Sequence, residues 1–160
     1  MAVALVAEMS AASEATHPQP VWRDRANFII ATAVDAATTS MTTEQLWTRQ
    51  IAEFEFQICC IPFFAHNLAL GDIVETDDSY LVRAVRQPSG RYVFRVWLGN
   101  SSIPRDEFAR EVEQHGGLVE WSSVNLVAID VEDATAAQDL ADFLQDRENQ
   151  GDLVYETGKH

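Results

Sequence analysis

The sequence predicts a mixed α+β protein, with a small antiparallel β-barrel-like sheet in its first half and a ferredoxin-like β-α-β-β-α-β arrangement in its second. Three observations predict it. Short runs rich in β-formers recur from residue 27 to residue 98, turn residues separate them, and two capped segments with helical character follow residue 104. A chain of 160 residues that is 47% hydrophobic is long enough to bury roughly two-thirds of its unfolded surface without disulfide bonds. The expected organisation is a tail over residues 1–20, the barrel-like region over 21–91 and the ferredoxin-like region over 92–160.

The first twenty residues are rich in Ala, Ser and Glu and close on His17-Pro18-Gln19-Pro20, a composition with little to pack, so a flexible, dispensable tail is expected. Residues 27–34 and 45–51 read as strands joined by a threonine-rich link over residues 38–43. Residues 53–60 alternate, with Phe54, Phe56, Ile58 and Cys60 on one face and Glu53, Glu55, Gln57 and Cys59 on the other. Residues 72–76, 80–86 and 91–98 add a three-stranded meander with turns at Asp77-Asp78 and around Gly90. Pro104 opens a helix whose first turn holds Asp106 and Glu107, and Gly116 and Gly117 stop it after His115. Strands at 118–121 and 125–131, a helix capped by Asp133 and running to about Arg147, and a strand at 153–155 complete the chain.

The most distinctive words are Ile61-Pro62-Phe63-Phe64-Ala65 and, five residues on, Gly71-Asp72-Ile73-Val74. Over roughly residues 46–155 the chain resembles an uncharacterised bacterial domain family marked by an I-P-F-F-A segment followed by G-D-[IV]-V. That resemblance implies a shared fold and carries over no catalytic residue. Physically the segment is a strand end, a proline corner with two aromatics and a Gly-Asp turn. Consecutive aromatics cannot both face one core unless the backbone bends, so Phe63, Phe64, His66 and Asp72 are the candidate pocket.

Twenty-five acids against eleven bases give a net charge of −14, which argues against nucleic acid or anionic membranes as general partners and favours a basic protein. Residues 1–100 contribute −4 of this and residues 101–160 contribute −10. In the last helix Ala137, Leu140, Ala141 and Leu144 recur at helical spacing, and Asp139, Asp142 and Asp146 fall nearly opposite, making an anionic face the candidate partner surface. Arg83, Arg86, Arg91 and Arg95 fall on one predicted hairpin among aromatics, the pattern of a single-strand nucleic-acid binder, though the acidic total favours pairing with nearby acids. Two adjacent cysteines make no disulfide framework, and no apolar run is long enough to span a bilayer, so a cytoplasmic setting is expected.

No phosphate-binding loop, zinc-protease or nucleophile-elbow motif occurs, and no cofactor or metal is expected. Cys59 and Cys60 are expected on opposite faces of a strand, Cys60 buried and Cys59 partly shielded. The preferred functional expectation is a non-catalytic binding or regulatory module, of the kind that serves as an immunity protein against a basic toxin. Two alternatives stand beside it: an enzyme using His66 in a cleft between the halves, and an arginine-hairpin nucleic-acid binder.

Overall fold

The computed structural model describes residues 14–35, 40–99 and 102–159. Residues 1–13 of the expected tail and residues 38–39 of the threonine-rich link lie outside them. Among the described residues, ten strands and two α-helices follow in the order β1 (Glu14–Ala15), β2 (Phe28–Ala33), β3 (Thr43–Ala52), β4 (Glu55–Ile58), β5 (Ile73–Thr76), β6 (Val82–Gln87), β7 (Tyr92–Trp97), α1 (Arg105–Gln114), β8 (Leu118–Trp121), β9 (Leu126–Val131), α2 (Ala134–Asn149) and β10 (Val154–Lys159). The molecule is mixed α+β, as expected.

The first sheet runs β1-β3-β4-β5-β6, with β2 also pairing β3. It is open rather than a closed barrel: β2 reaches the far edge only at an isolated bridge from Ala31 to Leu81, the residue before β6. Its concave side buries Ile30, Leu46, Phe56, Ile58, Cys60 and Val74. Phe54, expected inside a strand, sits instead in the β3–β4 turn at φ 58°. The strand therefore begins at Glu55, and it ends at Ile58. Cys59 leaves the alternation, donates its backbone N–H to Trp47 and is buried like Cys60, correcting the expectation of a partly shielded thiol.

The second sheet runs β10-β7-β9-β8, all antiparallel. Alternation along β7 sends Phe94 and Val96 into a core with Phe108 and Val112 of α1 and Leu140 and Leu144 of α2. Asp133 caps α2 as its sequence predicts, accepting from Ala136 N–H at 2.8 Å. Among the described residues no α-helix packs on the other face of this sheet. Across it run two rows of cross-strand neighbours: Glu156, Arg95, Ala128 and Glu120 in one, Val154, Trp97 and Leu126 in the other.

The small Ala128 in the first row leaves room for the 59–72 loop, and Ile61, Phe63 and Ala69 pack there on Val93 and Ala128. This third core joins the two sheets. The N-terminal segment joins it too, in contrast to the expected tail: Glu14 and Ala15 pair in parallel with Thr43 and Glu44, and Ala15, His17 and Pro20 are buried. Among the described residues no helix is long and apolar enough to cross a membrane.

Candidate functional site

Bending the chain through residues 61–65 exposes backbone N–H groups that no strand partner reaches, and their burial demands acceptors. Two glutamates supply them. Glu44, projecting from β3 on the same face as Leu46 and Thr48, accepts from Phe63 N–H at 2.7 Å, Phe64 N–H at 2.9 Å and Ala65 N–H at 2.9 Å. Glu120, on the helix-free face of the second sheet, accepts from Ile61 N–H at 2.5 Å and Val21 N–H at 3.3 Å. Pro62 has no N–H, so every donor of the segment is satisfied.

His17 lies between the two carboxylates, with Nε2 2.6 Å from Glu44 and Nδ1 2.8 Å from Glu120, its ring stacked on Phe63 at 4.1 Å. Each ring nitrogen faces a carboxylate oxygen, an arrangement that an imidazolium satisfies by donating from both nitrogens. Burial alone would lower its pKa. The adjacent Cys60 and the hydrogen bonds to Glu120 and Glu44 outweigh burial and hold His17 well above its ordinary 6.5. Burial likewise pushes Glu44 up, but His17 and the backbone donors win and leave it below 4.5. The thiols are the reverse case: burial raises both, Cys59 to about 11. Neither is a ready nucleophile.

This ion cluster fixes Phe63 and Phe64, and they form one wall of a pocket of about 330 Å³ between the 61–66 segment and the second sheet. His66 stands at its rim. The opposite wall is the second row of the helix-free face, Trp97, Leu126 and Val154, with Tyr155 and Glu156 beside it and Arg95 at the back. Trp97 and Val154 are 50% and 62% exposed, so the wall is open to solvent.

Arg95 is the unusual member. It is only 4% exposed, and its Nη2 donates to the carbonyl of Ala65, but among the described residues Nε and Nη1 have no hydrogen-bond partner. Glu156, 60% exposed, approaches Nη1 to 3.5 Å, an ion-pair distance too long for a good hydrogen bond. Burial lowers the pKa of Arg95 while Glu44 and Glu156 raise it, and the guanidinium remains charged. Gly158 makes room for this side chain, since a Cβ there would lie 2.9 Å from Arg95 Cζ.

Of the expected pocket residues, Phe63, Phe64 and His66 come together and Asp72 does not. Asp72 is fully buried, accepts from Ala69 N–H, Ser89 N–H and Lys159 Nζ, and pins the Gly71 turn to β10. The expected acidic face lies on the exposed side of α2. There Asp139 pairs with His115 at 2.7 Å and Asp142 accepts from Gln138 at 2.9 Å, while Asp146 is exposed. The four arginines do not share one surface: Arg83 and Arg86 are exposed on β6, where Arg86 pairs with Glu75, Arg91 pairs with Asp130, and Arg95 is buried. Among the described residues no group of three His, Cys, Asp or Glu side chains is arranged to hold a metal ion.

Sequence reasoning missed His17, Glu44, Glu120 and the burial of Arg95. A signal existed for Glu44, which continues the inward alternation Thr48, Leu46 once the strand is begun at residue 43. For His17 there was none, because its partners lie 27 and 103 residues away.

Fold and site together define an α+β protein whose two sheets are joined by a buried ion cluster beside an aromatic pocket. Residues 44–155 match the family described as Domain of unknown function (DUF4265), and the chain belongs to it. A solved structure described as a "Novel crystal structure of a hypothetical protein from Neisseria gonorrhoeae" is similar, with a TM-score of 0.69 and 23% identity over 83% of this chain and 96% of that one. At that identity the likeness shows the fold alone. Comparison with curated proteins gives no match.

Proposed function

We propose that the protein is a non-catalytic binding module whose ligand site is the pocket between the 61–66 segment and the second sheet. The observation that carries this reading is Arg95, a buried cation two of whose N–H-bearing nitrogens have no hydrogen-bond partner among the described residues, beside a mainly apolar cleft. Leaving such groups without partners costs roughly 1–3 kcal/mol each, more when charged, and a ligand that pairs with them recovers that cost. The pocket's size falls at the lower end of the roughly 300–1,000 Å³ usual for small-molecule sites. We read the second half, with its β-α-β-β-α-β order and one helix-free face, as the ferredoxin-like arrangement, the free face being its binding surface.

Two features support binding over catalysis. No side chain among the described residues hydrogen-bonds to the His66 ring, and a general base needs such an orienting partner. The cysteines are buried with raised pKa values. A fragment screen read by backbone amide shifts tests the proposal. Saturable shifts are expected at Phe64, Trp97, Val154 and Tyr155, and a screen in which no fragment moves these residues overturns it.

A second reading, docking of a basic partner protein on the outer face of α2, is favoured by the exposure of Asp139, Asp142 and Asp146 together with the net charge of −14.

A further inference from the structure

The pocket offers one buried cation, walls that are mainly apolar, and one exposed acid beside that cation. The geometry points to a small organic monocarboxylate with an aromatic or aliphatic body as the ligand, its carboxylate displacing Glu156 to reach Arg95. This rests on the pocket reading proposed above and names the chemistry of its occupant.

Arg95 sits in a row between Ala128 and Glu156, so Ala128 leaves its inner side to the 61–65 segment and β10 supplies only a loosely held acid on the other. Nη2 is committed to Ala65, whose own N–H is held by Glu44. The guanidinium therefore cannot swing out to water without breaking a segment that the whole junction organises. Glu156 can swing out, being exposed and beyond good hydrogen-bond reach of Nη1. It behaves as a replaceable counter-ion, covering the charge when the pocket is empty and giving way to a carboxylate of the same chemistry.

The walls then choose the rest of the molecule. Phe64, Trp97, Leu126 and Val154 surround the space in front of Arg95 and suit a flat ring or short alkyl body, while the Tyr155 ring turns to the other face of the sheet, where its hydroxyl donates to Gln145. Charge balance argues against a dianion. A phosphate would bring two negative charges to a single arginine in the field of Glu156 and Glu44, both close enough to act on Arg95. A neutral molecule of the same shape would fill the walls and leave Nε and Nη1 unpaired.

The test is a titration of the isotope-labelled full chain with phenylacetate, its neutral isostere phenylacetamide and inorganic phosphate, following the Trp97 indole N–H and the amides of Val154, Tyr155 and Glu156. Phenylacetate is expected to bind saturably and at least tenfold more tightly than phenylacetamide, and phosphate to give no saturable shift. Arg95→Gln should weaken phenylacetate tenfold or more. Glu156→Gln, a surface change, should tighten it severalfold. Should Arg95→Gln fail to fold, the acid–amide comparison and Glu156→Gln decide alone. Equal binding of acid and amide, phosphate binding above phenylacetate, or no gain from Glu156→Gln each overturns the carboxylate inference and leaves the pocket standing. No saturable shift with any probe, together with an unproductive fragment screen, overturns the pocket itself.

Discussion

His17 illustrates how much of this fold hangs on one side chain. A lone buried imidazole is a liability, as is a lone buried carboxylate; here one imidazolium serves two carboxylates, and those carboxylates hold the backbone of residues 61–65. Removing the histidine alone leaves Glu44 and Glu120 buried close together without their cation. Breaking a buried ion pair from one side costs about 3–5 kcal/mol, far above the median worth of a surface pair. His17→Ala is therefore expected to lower the melting temperature by on the order of 10 °C, using the roughly 2–4 °C per kcal/mol of a chain this size. A chemical or thermal melt measures it. A change below about 3 °C would mean that water enters and solvates the carboxylates, and that the cluster does not join the sheets.

At the scale of elements, legibility followed locality. The helices were readable because their signals are local: Asp133 at the cap of α2, the acids in the first turn of α1, and apolar residues at helical spacing. The alternation of β4 was readable, but its start was not, because the turn before it uses Phe54 at positive φ, where glycine or asparagine would have announced it. The 61–65 corner stood out as a string while its chemistry stayed hidden, since the acids that hold it come from β3 and β8. Only part of the pocket was named for the same reason: Phe63, Phe64 and His66 lie within one short segment, whereas Trp97, Leu126 and Val154 meet only through sheet pairing. The acidic face of α2 was legible in full, and its role is a matter for experiment. With a ten-residue polylysine peptide as a basic probe, amide shifts are expected along the outer face of α2 and should shrink as salt rises, because the Debye length falls to about 8 Å near physiological ionic strength. The triple change Asp139→Asn, Asp142→Asn and Asp146→Asn should remove them at little cost to the fold. Shifts spread evenly over the molecule would leave α2 as an ordinary solvated face.

For the molecule as a whole, the ion cluster makes the union of the two sheets depend on pH. His17 has its folded pKa raised above 6.5, so its stabilisation is fully present below 6.5 and is lost as pH climbs through the folded value. Glu44 has its folded pKa lowered below 4.5, so its contribution is present above 4.5 and is lost as pH falls through the folded value. Both contributions require the same pair, and both vanish when His17 cannot carry a proton. The stability difference between wild type and His17→Gln, measured by urea unfolding from pH 3 to pH 10, should therefore be largest between about 4.5 and 6.5 and shrink on either side. Taking the difference cancels the titration of groups remote from the cluster, such as Asp130 with Arg91, which both proteins share. A neutral, singly protonated His17 in the folded protein would instead leave the wild-type advantage flat from pH 6.5 to pH 10. In that case one ring nitrogen would face a carboxylate without a proton between them, and the junction would be held by its apolar contacts among Ile61, Phe63, Ala69, Val93 and Ala128 rather than by charge.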